Sequence, residues 1–148
     1  SAQQVQLHPY LGMLAVSWDL NDPPATITRN RRHVTIQTFA EPATSPPLGF
    51  MTIAIENIPW KIRVYASYET YITLEDVVQT IYLSLRTNIA KSELDSLSQN
   101  EQWRVVSAYK DRYRRQQFRK AYDEEKFGGI KCVDFLMGHS RFLGISNS

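Results

Sequence analysis

A single cysteine, Cys132, stands in the 148-residue chain, so no disulfide can close within it. No Asn-x-Ser/Thr sequon occurs either. Both absences point to an intracellular, reducing compartment, cytoplasmic or nuclear. Histidine is almost as scarce. His8, His33 and His139 are widely separated, and with one cysteine they make no structural zinc pattern. Neither a metal nor a cofactor is therefore expected. No apolar run approaches the roughly 18–20 residues that span a bilayer. The start of the chain, Ser1-Ala2-Gln3-Gln4, lacks the basic and apolar stretches of a signal peptide. An excess of one charge sign is lacking too: 17 basic residues against 15 acids leave a formal net charge of +2. A strongly electrostatic nucleic-acid binder is usually more basic. Catalytic signatures are also missing: no Gly-x-Ser-x-Gly elbow, no His-Glu-x-x-His, no P-loop and no Gly-x-Gly-x-x-Gly occurs. The chain leans away from an enzyme.

What is present is enough for a core. Hydrophobic residues make up 43% of the chain and charged residues 22%, a balance that argues against wholesale disorder. The length fits one domain, expected over residues 8–146, with residues 1–7 as a flexible N-terminal segment. Up to about residue 67 the pattern is one of strands and loops. Leu14-Ala15-Val16-Ser17-Trp18 is a short β-like run, and His33-Val34-Thr35-Ile36-Gln37 alternates with β-branched residues. The proline-rich stretch 42–47 cannot sit in a central strand. Met51-Thr52-Ile53-Ala54-Ile55 and Ile62-Arg63-Val64-Tyr65 read as two strands joined through Asn57-Ile58-Pro59-Trp60.

From about 73 to 124 the period becomes helical. Thr73 is a good N-cap, and Asp76 three residues on resembles a capping box. Leu74, Val77, Val78, Ile81, Tyr82 and Leu85 follow with helical spacing. A short helix is predicted over 92–97, and a longer one from about Asn100 to about Tyr122, stopped before Gly128-Gly129. Cys132-Val133-Asp134-Phe135-Leu136 and Arg141-Phe142-Leu143-Gly144-Ile145 then flank Gly138-His139-Ser140 as a closing hairpin. Strands, then helices, then a hairpin make an α+β fold: a largely antiparallel sheet with two to three helices inserted before a C-terminal β-hairpin.

Several residues could carry chemistry. On the long helix Arg104, Arg112, Arg115 and Arg119 fall within an arc of about 80° at 100° per residue. Val106, Tyr109 and Tyr113 lie opposite, with Trp103 close by. The helix should bury its aromatic side and present the arginines to solvent. Arginine's planar fork suits phosphate and carboxylate, so the stripe could hold a nucleic-acid backbone, an acidic protein surface or anionic headgroups. A solvated face, paired locally with Asp111, Asp123 or Glu124, accounts for it equally. Arg29, Arg31, Arg32 and His33 form a second basic group before a strand, either an anion site or a solvated loop. Trp18 and Trp60 end strand-like runs and could wall a pocket, or pack in the core. Cys132, within an apolar run, reads as a core residue. His139 and the His8-Pro9-Tyr10 element have equally plain surface or packing roles. Glu75 and Asp76 suit the dipole of a first helical turn without any catalysis.

The chain resembles an uncharacterised basidiomycete fungal domain family, a domain of unknown function. The residues that carry the resemblance are Ser17-Trp18-Asp19-Leu20 with Pro23-Pro24, and then Glu41-Pro42-Ala43-Thr44-Ser45-Pro46-Pro47-Leu48 with Pro59-Trp60. Thr73-Leu74-Glu75-Asp76-Val77 running into Ile81-Tyr82 continues it, as does Gly128-Gly129 followed by Val133-Asp134-Phe135-Leu136-Met137-Gly138. It runs from about His8 to Ile145. The resemblance implies a fungal source and a free-standing intracellular domain, and brings no catalytic residues with it. The function expected is a non-enzymatic protein-interaction module that binds a protein partner or itself as a homodimer. Two alternatives stand beside it. One is nucleic-acid or polyanion binding through the arginine-striped helix. The other is a small enzyme or ligand-binding protein with an aromatic pocket.

Overall fold

Alternate burial along two runs makes the central hairpin. Met51 and Ile53 in β5 (Phe50–Ala54) and Ile62 and Val64 in β6 (Ile62–Tyr65) point inward, while Phe50, Arg63 and Tyr65 stay exposed. The strands pair antiparallel with Phe50 opposite Tyr65 and Ile53 opposite Ile62. The sheet order is β6-β5-β7, the last strand being the short segment Ser146–Asn147. The computed structural model describes residues 4–147 apart from Asn57. The Asn57 end of the expected strand connection therefore lies outside the described residues; Ile58 within it donates to the Ile55 carbonyl.

Two further two-stranded antiparallel ladders are present: β1 (Gln6–Leu7) with β4 (Thr44–Ser45), and β2 (Thr28–Arg29) with β3 (Arg32–His33). β1 falls within the stretch 1–7, where the sequence predicts only a flexible segment. The β2–β3 turn is Asn30-Arg31, with φ of 52° and 66°. Positive φ at both central residues is the geometry of a type I′ hairpin, which glycine suits best at the second position. Arg31→Gly is therefore expected to raise stability by up to about 1 kcal/mol; a urea midpoint that does not rise would contradict it.

The helices are α1 (Ile36–Phe39), α2 (Leu74–Leu85), α3 (Lys91–Asp95), α4 (Gln99–Arg114) and α5 (Arg119–Phe127). The start of α2 is as its sequence suggests: the Asp76 amide donates to Thr73 Oγ1 at 3.1 Å, and Asp76 Oδ2 accepts from the Thr73 amide at 3.0 Å. Leu74, Val77, Val78, Ile81 and Leu85 on its apolar stripe are all buried. Ser98 and Glu101 cap α4 by the same reciprocal pair of bonds.

The chain forms two compact units. One extends to Leu83 and takes in the segment from Arg141 onward; the other is Ser84–Ser140. The α+β class holds, with every strand pair among the described residues antiparallel.

Four local expectations are corrected. Residues 14–18 form no continuous strand; Ser17 and Asp19 make isolated bridges, and Leu14 has φ 55°. The run 33–37 stops as a strand at His33, because Thr35 Oγ1 accepts from the Thr38 amide and caps α1. The long helix is two helices: it ends at Arg114 and restarts at Arg119. No glycine or proline breaks it. The chain folds back so that Tyr113 meets Tyr122 edge-on at 5.2 Å and the Tyr109 hydroxyl donates to the Lys126 carbonyl. The closing hairpin is absent, because residues 132–136 coil into a fully buried 3-10 helix. Apolar runs this short cannot be assigned by periodicity alone.

Candidate functional site

The arginine stripe does not survive as one solvent face. Arg104, Arg115 and Arg119 are exposed, but Arg112 is buried, with its side chain only 3% accessible. Arg119 pairs one turn on with Asp123 at 3.3 Å. The arc holds for Arg104, Arg112 and the C-cap Arg115, but Arg119 opens a separate helix, and α5 and the 3-10 helix pack on the Arg112 side of α4.

Arg112 instead organises a buried charge cluster. Its Nε donates to Asp134 Oδ1 at 3.0 Å and its Nη2 to Asp134 Oδ2 at 2.9 Å, a bidentate fork. Nη2 also donates to the Gly129 carbonyl at 3.0 Å, and Nη1 to Glu125 Oε2. Glu125 Oε1 accepts from Arg86 Nη2 at 2.6 Å, and Asp134 Oδ2 accepts from the Lys131 amide at 2.8 Å. Burial alone would raise the Glu125 carboxyl, but Arg86 and then Arg112 hold it below the usual carboxylate range. Burial pushes the Lys131 ammonium down, and the Arg86 charge adds to that. Burial opposes the charge on Arg112 as well, yet its bonds to Asp134 together with the charges of Asp134 and Glu125 outweigh it and keep the guanidinium firmly protonated. Five donor groups thus meet two carboxylates with every acceptor oxygen engaged. Such a cluster ties α4, α5 and the 3-10 helix together, with Arg112 and Asp134 buried and Arg86 and Glu125 partly exposed.

Sequence reasoning misses this cluster. Its strand pattern takes in Asp134, and nothing in it singles out Glu125. The available signal is a lone acid inside the apolar run Cys132-Val133-Asp134-Phe135-Leu136, which must find a cation if the run is buried.

The other candidates fall into place locally. Trp18 is a core residue: its indole nitrogen donates to the Asp22 carbonyl at 2.9 Å, and its ring lies 5.3 Å from Phe142. Of its two sequence readings, pocket wall and core packing, the burial fits the second. Trp60 is half-buried. Cys132 is buried beside Thr87, its sulfur 3.1 Å from the hydroxyl, and burial pushes its thiol up, away from nucleophilic use. His8 Nδ1 accepts from the Tyr10 amide at 3.0 Å, capping a 3-10 turn, and His139 is exposed in a turn. Arg29, Arg31 and Arg32 lie on or beside the β2–β3 turn, in the other compact unit from α4.

Among the described residues, concavities open on the unit that carries the sheet. One of about 380 Å³ is apolar, with Met13, Leu14 and Leu143 in its wall. One of about 510 Å³ lies by His8 and Glu41. Another of about 510 Å³ lies by the basic turn. Neither Trp18 nor Trp60 lines any of them.

The same unit has an open sheet edge. The Ala66 amide donates to the Gly49 carbonyl at 3.2 Å. Along the antiparallel ladder Val64 and Ile62 bond to β5, so the backbone N–H and C=O groups of Arg63 and Tyr65 point away from it. Among the described residues no strand takes them up. On the outer sheet face the tilted rings of Phe50 and Tyr65 lie 4.9 Å apart between centroids, 47% and 59% exposed.

These features define a small α+β protein with a structural charge cluster, an open β edge and an exposed aromatic pair. Among the described residues no cluster of metal-ligating side chains occurs, and no helix is long and apolar enough to cross a membrane. The chain belongs to the family of unknown function DUF6699, whose sequence model matches residues 16–148. No curated protein and no solved structure matches it.

Proposed function

We propose that this chain is a non-enzymatic protein-interaction module that pairs with a second copy of itself along β6. The observation that carries the reading is the row of outward-facing backbone groups on Arg63 and Tyr65, next to the exposed Phe50–Tyr65 pair. An unpaired edge is a template for strand addition. Lys61 and Arg63 guard it with charge, and that charge selects the register. A two-fold axis through Arg63 would set two guanidiniums face to face, which is unfavourable. An axis through Val64 places Arg63 opposite the partner's Tyr65, twice, and brings each guanidinium to an aromatic ring. A single buried cysteine fits an intracellular setting for such a module.

The polyanion reading through α4 has less support, since Arg112 is committed to Asp134 and Glu125. The test is light scattering on a size-exclusion column over a concentration series. A dimer is expected for the native chain and a monomer for Arg63→Pro, which removes an outward N–H and leaves the β5–β6 bonds in place. A native chain that stays monomeric at every concentration would overturn the reading, as would an Arg63→Pro dimer of unchanged affinity.

A further inference from the structure

We propose that the β2–β3 turn and the segment after it form a binding site for a small phosphomonoester. The site is the concavity of about 510 Å³ whose wall contains Arg29, Asn30, Arg32 and His33, together with Thr35, Thr38 and Tyr10. A cavity of this size is in the range of small-molecule sites. Among the described residues no carboxylate belongs to its wall.

Two observations set the hairpin apart from an ordinary solvated loop. First, the register places Arg29 directly opposite Arg32. Like charges at such a cross-strand pair repel, and the turn between them adds a third arginine at a positive φ. A bound dianion would cancel that repulsion. Second, Arg29 is held in place before any ligand arrives. Its guanidinium lies over the Tyr10 ring at 4.5 Å, and Nη1 donates to the Ala15 carbonyl at 3.4 Å. Tyr10 is itself anchored through its amide to His8. Stacking occupies the face of the guanidinium and leaves most of its in-plane donors for a ligand.

The polar groups beside the arginines complete the match. Thr35 Oγ1 donates to Thr38 Oγ1 at 3.0 Å, so the Thr38 hydroxyl hydrogen remains to be donated elsewhere. Two guanidinium forks and a hydroxyl fit the three terminal oxygens of a phosphomonoester, and two positive charges match its dianion. Tyr10 and Val34 supply apolar wall for the esterified group. The proposal is independent of the β6 edge, which uses other residues.

Titration calorimetry at low salt with phenyl phosphate tests it, with inorganic phosphate and phenyl sulfate as comparison probes. Phenyl phosphate is expected to bind with Kd of about a millimolar or tighter. The sulfate ester, a monoanion of similar shape, should bind about tenfold more weakly. Arg29→Gln and Arg32→Gln should each weaken phenyl phosphate by about tenfold or more. Arg104→Gln makes the same charge change on α4 and should leave it unaltered. Inorganic phosphate binding as tightly as the ester would overturn the ester specificity and confine the site to the free anion. Three results would overturn the site itself: no heat with either phosphate probe, equal affinity for the sulfate ester, or equal losses from Arg29→Gln and Arg104→Gln. Melting curves of each variant separate a lost site from a lost fold.

Discussion

Asp134→Ala is expected to lower the stability of the chain by about 3–5 kcal/mol, a large effect for a single polar substitution. The cause is the charge left behind. With Asp134 gone, Arg112 keeps only Glu125 and the Gly129 carbonyl, and two of its donors lose a partner in the interior. The Lys131 amide loses its acceptor as well. Changing both partners to apolar residues, as in Arg112→Met with Asp134→Leu, should cost much less than the two single changes summed, because no unpaired charge remains between them. Urea titrations followed by far-UV circular dichroism measure both. High salt should leave the Asp134→Ala deficit nearly unchanged, since a buried pair is weakly screened. A loss under about 1 kcal/mol would mean that water reaches the cluster and pairs it as it would an exposed bridge.

The second large effect is expected at Trp18. Trp18→Ala should cost about 3–5 kcal/mol, as truncation of a buried aromatic does. The ring is 2% exposed, sits against Phe142 and donates its N–H to the Asp22 carbonyl. Trp18→Phe retains an aromatic and should recover most of the loss, apart from the missing donor and the volume difference. A residue lining an open ligand pocket would behave otherwise, with a change within about 0.5 kcal/mol on truncation. The same urea series therefore discriminates a core tryptophan from a pocket tryptophan.

Much of the fold is legible before any coordinates. The Met51 and Ile62 runs form the central hairpin because a half-buried pair of strands writes a period of two directly into the sequence. Thr73 with Asp76 marks the start of α2, because capping is local: donor and acceptor are three residues apart. Gly128-Gly129 does stop a helix, with Gly128 as the C-cap of α5 and Gly129 at φ 78°.

The misses share one cause. The turn at residues 115–118 has no breaker residue. It exists because α5 gains Tyr113 and Arg112 as neighbours when the chain reverses. Residues 132–136 coil where the sequence shows a strand pattern because Asp134 must reach Arg112, twenty-two positions earlier. Neither event leaves a mark within a window of a few residues.

The candidate sites divide along the same line. Composition and motif absence by themselves determined that no familiar catalytic constellation is written here and that Cys132 has no cysteine partner within the chain, while the order of strand and helix periods determined the α+β class. Helical spacing also placed Arg104, Arg112 and Arg115 along one arc of α4. Only the tertiary structure decided that Arg112 turns inward to two carboxylates while Arg104 stays in solvent, that Trp18 is core, and that Arg29 faces Arg32 across a hairpin. Angle along a helix is a property of the backbone and follows from residue numbers. Burial and partner choice depend on which distant segment arrives, and in this chain long-range charge pairing and aromatic packing made that choice.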